Sequence, residues 1–238
     1  MRHLKLAGLA LAALLAGCLM VYFYLGTARE PQYQGRSLSD WIKQAENSLT
    51  ASDDPEHPER NPRWMECRIA VQHMGTNALP FLIDDLLVEK SKIKPWLSAR
   101  ARGPVFSSVT PKKWRNELQQ LVNADQQRVL KQHLLALNGF ALLARDARPV
   151  EPVLIKLAKD KNREKRFWGF CALTCTKPPK EVFMPAAALL LKDSDEGIRE
   201  NAAATLQSLY PDEAEKAGVY AMFPDLKPSQ TNQVIQMP

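Results

Sequence analysis

Apolar positions along this chain fall into distinct patterns. From Leu6 to Leu25, 20 residues pass without a charge, and as a helix such a run spans about 30 Å, the hydrocarbon thickness of a bilayer. A second pattern begins behind Ser37-Leu38-Ser39-Asp40, a capping hydroxyl with an acid three residues on. Leu38, Trp41, Ile42, Ala45 and Leu49 then follow at helical spacing, predicting an amphipathic helix that ends near Ser48. Residues 51–62 are acidic and proline-rich without an apolar period and read as an exposed loop.

The third pattern repeats. Pro152-Val153-Leu154-Ile155-Lys156-Leu157-Ala158-Lys159-Asp160 and Pro185-Ala186-Ala187-Ala188-Leu189-Leu190-Leu191-Lys192-Asp193 lie 33 residues apart. Arg166, Phe170 and Leu173 match Arg199, Ala203 and Leu206 at the same interval. Upstream, Ala70 and Met74 precede a Gly75-Thr76-Asn77 turn, after which Ala78-Leu79-Pro80-Phe81-Leu82-Ile83 opens a partner helix. Each unit reads as helix, turn, helix. A period of this length made of two helices predicts an all-α fold, a short α-solenoid whose pairs bury their apolar faces by stacking on neighbours. Glycine is sparse, at 10 residues, and runs of Val, Ile and Thr are scarce, so essentially no strand is expected.

Arginine followed by small residues in the first helix, and proline before Leu-rich turns in the second, resemble HEAT-type repeats. The whole chain looks like bacterial membrane-anchored HEAT-repeat proteins that open with an apolar helix and a Tyr-Gln-Gly-Arg-Ser-Leu-Ser-Asp-Trp segment, here Tyr33 to Trp41. The likeness covers roughly residues 5 to 210. It implies a binding scaffold and says little about chemistry. The chain departs from the pattern at Lys177-Pro178-Pro179-Lys180 and beyond Pro224. Accordingly we expect an anchor over 1–26, a connector with one helix and a Pro/acidic loop over 27–62, HEAT-like repeats over 63–223 with the last second helix at Asp212 to Ala221, and a disordered tail over 224–238.

Arg2 and Lys5 precede the apolar N-terminal run and Tyr22, Phe23 and Tyr24 close it, the pattern of a single-pass signal-anchor with the N-terminus cytoplasmic and the domain exported. Leu15-Ala16-Gly17-Cys18 also matches a lipoprotein cleavage box, and a cleaved signal peptide is the third reading. The uninterrupted apolar residues after Cys18 favour the anchor.

Charge changes the picture in one place. The net charge is +6, yet from Lys90 to Arg115 there are eight basic residues and no acidic one, so this segment carries the whole excess. It interleaves Lys92, Lys94, Arg100, Arg102, Lys112 and Lys113 with Trp96, Phe106 and Trp114. One reading is an irregular connector whose aromatics pack inward; the other is a contact for an anionic lipid surface or a nucleic acid. An exported domain argues against nucleic acid.

Catalytic motifs are scarce. No Gly-rich phosphate loop, Gly-x-Ser-x-Gly or His-Glu-x-x-His occurs. His57-Pro58-Glu59 lacks the Pro-Cys-x-x-Cys partner of zinc deaminases. Cys171 and Cys175 share a helix face and would bind a metal only with help from His133 or Cys67; the stronger reading is core packing. Cys67 and His73, about 240° apart on a helix, are no nucleophile–base pair. We therefore expect no catalysis, cofactor or metal, and a protein partner on the concave helix face. A binder of anionic surfaces and a HEAT-fold enzyme with an unrecognised site stand as alternatives.

Overall fold

The computed structural model describes residues 29–226 apart from 52–53, 55–56, 92 and 103–110. The apolar N-terminal run with Cys18, and the tail beyond 226, lie outside the described residues. No helix among the described residues is long and apolar enough to cross a membrane.

The chain enters through a small hairpin that the strand-free expectation omitted. Strand β1 (Gln32–Tyr33) pairs with β2 (Arg36–Ser37) around Gln34 and Gly35. Both turn residues have positive φ, 50° and 76°, the geometry that matches the twist of a two-residue hairpin. Tyr33 stacks on His73 at 4.8 Å, its carbonyl accepts from the Trp41 indole N–H at 3.0 Å, and the Arg36 guanidinium lies 5.0 Å from the Trp41 ring centre. The Tyr33–Trp41 segment thus locks the chain's entry onto its first helices.

Helix α1 (Leu38–Thr50) starts at the anticipated cap: the Asp40 amide donates to Ser37 Oγ, which in turn donates to the Asp40 carboxylate at 2.8 Å. Helix α2 (Pro62–Met74) is capped by Asn61, whose amide also donates to the Ser48 carbonyl and ties the two helices end to end. Helices α3 (Leu79–Leu86), α4 (Ile93–Arg102) and α5 (Lys112–Leu143) follow. Then come α6 (Glu151–Ala158), α7 (Arg163–Cys175), α8 (Lys180–Leu190) and α9 (Glu196–Leu209). The single helix expected at Asp212 to Ala221 is two, α10 (Pro211–Lys216) and α11 (Val219–Met222), because Gly218 between them turns left-handed at φ 73°. Pro224–Leu226, expected to be disordered, forms a 3-10 turn. Among the described residues the architecture is all-α but for the hairpin, and one apolar core runs from Leu38 to Val219.

Two segments 33 residues apart share bonding geometry as well as letters. Arg166 Nη1 donates to the carbonyls of Asp160 and Lys161 beyond α6, and Arg199 Nη1 donates to those of Asp193 and Ser194 beyond α8. His133, one period earlier on α5, donates through Nε2 to the Val88 carbonyl beyond α3. Position by position, Ala136, Gly169 and Ala202 are buried small residues one period apart. At Gly169 the reason is explicit: an added Cβ would meet Leu157 Cβ at 2.6 Å and the Ala158 nitrogen at 3.0 Å. Cys67, fully buried on α2, takes this small-residue place in the first pair.

Three of the first helices, α2, α5 and α7, are followed by a residue of positive φ, whereas α9 ends at Tyr210 with φ −143°. Gly75 closes α2 at φ 54°, ψ −134°, and Ala144 closes α5 at φ 49°, ψ −117°. Lys177, one period beyond Ala144, also has φ 49°. The basic segment breaks the period. It contains α4 and the first turns of the 32-residue α5, so the connector expected to be irregular is largely a helical hairpin inserted between α3 and the repeat-equivalent half of α5.

Candidate functional site

Two surfaces carry more chemistry than packing requires. The first is the inserted hairpin. Helix α4 packs on α5 through Ser98 and Ala101, which are buried, and its Ser98 hydroxyl donates to Gln119 at 3.3 Å. The seam is pinned by Asp125, a carboxylate only 5% exposed on the buried face of α5. It accepts from the Ser91 amide at 2.7 Å, Lys94 Nζ at 3.0 Å and Arg128 Nη2 at 3.2 Å. The Ser91 amide, with Lys94 and Arg128, holds the Asp125 carboxyl down at about 2.

With Ser98 and Ala101 turned inward, α4 presents its large apolar residues outward, beside Ala99 and Arg100. Ile93 is 68% exposed, Trp96 58% and Leu97 41%. Trp114 and Leu121, seven residues apart on one face of α5, are also exposed. The expectation that the aromatics of this segment pack inward is therefore corrected for Trp96 and Trp114, while Phe106 lies outside the described residues.

Of the six cations read as contacts, Lys94 serves Asp125, and Arg100 lies 5.7 Å from the Trp96 ring centre. Lys112 and Lys113 are exposed in the first turn of α5, which holds no acid. Lys92 and the side chain of Arg102 lie outside the described residues. Lys90 pairs with Glu164 at 2.6 Å, and Lys165 of α7 with Glu89 at 3.0 Å, stitching the base of the insertion to the repeats.

The second surface is an open cleft of about 470 Å³ where the entry segment, α1, α3 and α5 meet. Glu30, Asp84 and Asp85 line it together with Lys43, Arg128 and Lys131. Glu30 accepts the Ser39 amide at 2.6 Å. Burial, then repulsion from Glu30 and Asp84, pushes the Asp85 carboxyl up to about 6, against the pull of Lys43. A carboxyl of that strength exchanges a proton near neutrality, a property shared by catalytic acids and by structural ones.

Among the described residues, the three thiols and His133 behave as packing residues. Burial raises Cys171 to about 12 and Cys175 to about 11 and also raises Cys67, so none is a thiolate at neutral pH. His133 is buried against Trp168, 4.7 Å between ring centres, and burial lowers its basicity. Among the described residues no group of His, Cys, Asp or Glu side chains is arranged to hold a metal ion. Asp125 and Asp85 were not anticipated. The available signal for Asp125 was a lone acid between Val122 and Val129 on an apolar stripe. Asp85 had none, because its character comes first from burial by the fold and then from Glu30, far away in sequence. The chain matches no protein-family model, no curated protein and no solved structure.

Proposed function

We propose that this chain is a membrane-tethered, HEAT-like α-solenoid without catalytic activity, a scaffold that binds a protein along the row of its second helices α3, α6, α8 and α10. The observation that carries the reading is the arginine–carbonyl bonding of Arg166 and Arg199, repeated one period apart on the same backbone positions. Pairs built to one plan stack their faces and leave the concave row of second helices free for a partner. That row exposes Val153 on α6 and Leu189 on α8. Tethering follows from the 20-residue apolar run at the N-terminus.

Photo-crosslinking residues placed at Val153 and Leu189 in the full chain, in its native membranes, test the proposal. Discrete protein adducts are expected there and not from Glu200 or Ser208 on α9. Equal labelling from both rows, or adducts from neither, rejects it.

A further inference from the structure

The α4–α5 hairpin is built inside out, and that inversion points to what it touches. In a surface helix the apolar stripe normally faces the core. In α4, Ile93, Trp96 and Leu97, spaced i, i+3, i+4, face solvent, while Ser98 and the Lys94–Asp125 pair face the protein. Trp114 and Leu121 add further apolar surface on α5. Scattered exposed apolar residues need no explanation, but a contiguous stripe on an inserted element does. Beside it stand Lys112, Lys113 and Arg115 within the first turns of α5, where the positive end of the helix dipole disfavours cations.

We propose that this hairpin docks on an anionic bilayer surface, with Trp96 and Trp114 at headgroup level, Ile93 and Leu97 at the acyl boundary, and Lys112, Lys113 and Arg115 against lipid phosphates. Indole rings favour that interface, and basic residues beside it gain from the surface potential. Stacking on nucleic acid bases would use the tryptophans and cations but leaves the aliphatic Ile93 and Leu97 without a role.

The tether is short. Glu30 lines the same cleft as Arg128, and Lys112 lies 16 residues nearer the start of α5, about 24 Å along its axis at 1.5 Å per residue. The five residues from Leu25 to Glu30 span at most about 17 Å. Both lengths are short: about 24 Å of helix from Arg128 to Lys112, and at most about 17 Å of chain between the apolar run and Glu30. The proposal shares the tether with the scaffold reading but not the α6–α8 row, so the two fail separately.

The full chain is reconstituted into vesicles whose acyl chains carry bromine, a contact quencher of indole, made of phosphatidylcholine alone or mixed with phosphatidylglycerol. Quenching is expected with the anionic mixture and not with the neutral lipid. It should be lost in the Trp96→Phe/Trp114→Phe variant and in Lys112→Gln/Lys113→Gln/Arg115→Gln, each with unchanged helical circular dichroism. Raising salt to 1 M, where the Debye length falls to about 3 Å, should remove it too. Equal quenching in both lipids, which would mean the tether alone brings the domain close, overturns the proposal. So does absence of quenching, or protection of the tryptophans from iodide by a single-stranded oligonucleotide but not by vesicles.

Discussion

The guanidinium of Arg166 on α7 grips the carboxylate of Asp193 beyond α8 with two hydrogen bonds, 2.6 Å from Nε and 2.8 Å from Nη2. Its remaining Nη1 donates to the carbonyls of Asp160 and Lys161. One side chain therefore closes its own helix pair and joins it to the next, and the forked geometry matches a carboxylate as an ammonium cannot. The bond to Arg166 holds Asp193 below the ordinary carboxylate range and raises Arg166 above its own.

Because Arg166 is 15% exposed and Asp193 7%, cutting the fork leaves a largely buried charge without its partner. Arg166→Lys should lower unfolding stability by about 2 kcal/mol in urea titrations at pH 7. The sign with pH follows from the depressed carboxyl: its contribution is present above pH 4 and is lost as pH falls through the folded value. The difference between wild type and variant should therefore shrink below pH 4. A constant difference down to pH 2.5 would place the loss in packing instead.

A related contrast separates what the letters revealed from what they hid. Pro152 and Pro185, Arg166 and Arg199 announce the period because proline, arginine and the Lys-Asp ends recur as the same residues. His133 and Trp64 hold the position of these arginines with unlike side chains, so the period fades upstream although the His133–Val88 bond continues it. The insertion was legible as a charge run and not as helices, since the apolar stripe of α4 spans only ten residues and faces outward. Asp125 owes its character to Ser91 and Lys94, and Asp85 to burial and then to Glu30, surroundings made by the fold across dozens of residues. No local period records such contacts.

The equivalent turns at Gly75 and Ala144 predict opposite responses to exchange. Both residues hold positive φ near 50° with ψ beyond −115°, a region open to glycine and strained for a residue with a Cβ. Ala144→Gly should stabilise the chain by about 1 kcal/mol, strain relief outweighing the greater freedom of the unfolded glycine. Gly75→Ala should destabilise it by a similar amount, although nothing lies within 4 Å of an added Cβ there. Thermal melts of the two variants check the signs. A melting temperature lowered by both would show that cavity formation at Ala144 dominates.

The seam under α4 rests on one carboxylate. Asp125→Asn keeps the shape but removes the charge that holds Lys94 and Arg128, so α4 should loosen while the repeats stay folded. Hydrogen exchange over residues 91–102 should quicken at least tenfold, with exchange in α7 and α9 unchanged. Uniform quickening across the chain would mean that the insertion and the repeats unfold as one unit.

Asp85 supplies a pH dependence of the opposite sense to that of Asp193. Its folded carboxyl titrates near 6, against 3.8 ordinarily, so the folded chain holds this proton more tightly than the unfolded chain does. Stability contributed by the protonated acid is fully present below about pH 4 and is lost as pH rises through 6, leaving a net penalty at neutrality. Asp85→Asn abolishes the titration and keeps a neutral group of the same size beside Glu30 and Asp84. The variant should be more stable than wild type by about 1 kcal/mol at pH 7.5, a figure reduced from the full linkage value because water enters the open cleft. At pH 3.5, where the wild-type carboxyl is protonated in both states, the gain should vanish. Urea titrations at the two pH values decide it, and an equal gain at both would show that the amide makes new contacts, with no raised carboxyl beneath the effect. Lys43→Gln provides the complementary check. Removing this cation, which opposes the shift, should move the Asp85 midpoint upward, read by carboxyl carbon chemical shifts, and a midpoint that stays in place would mean that Lys43 does not face this carboxylate.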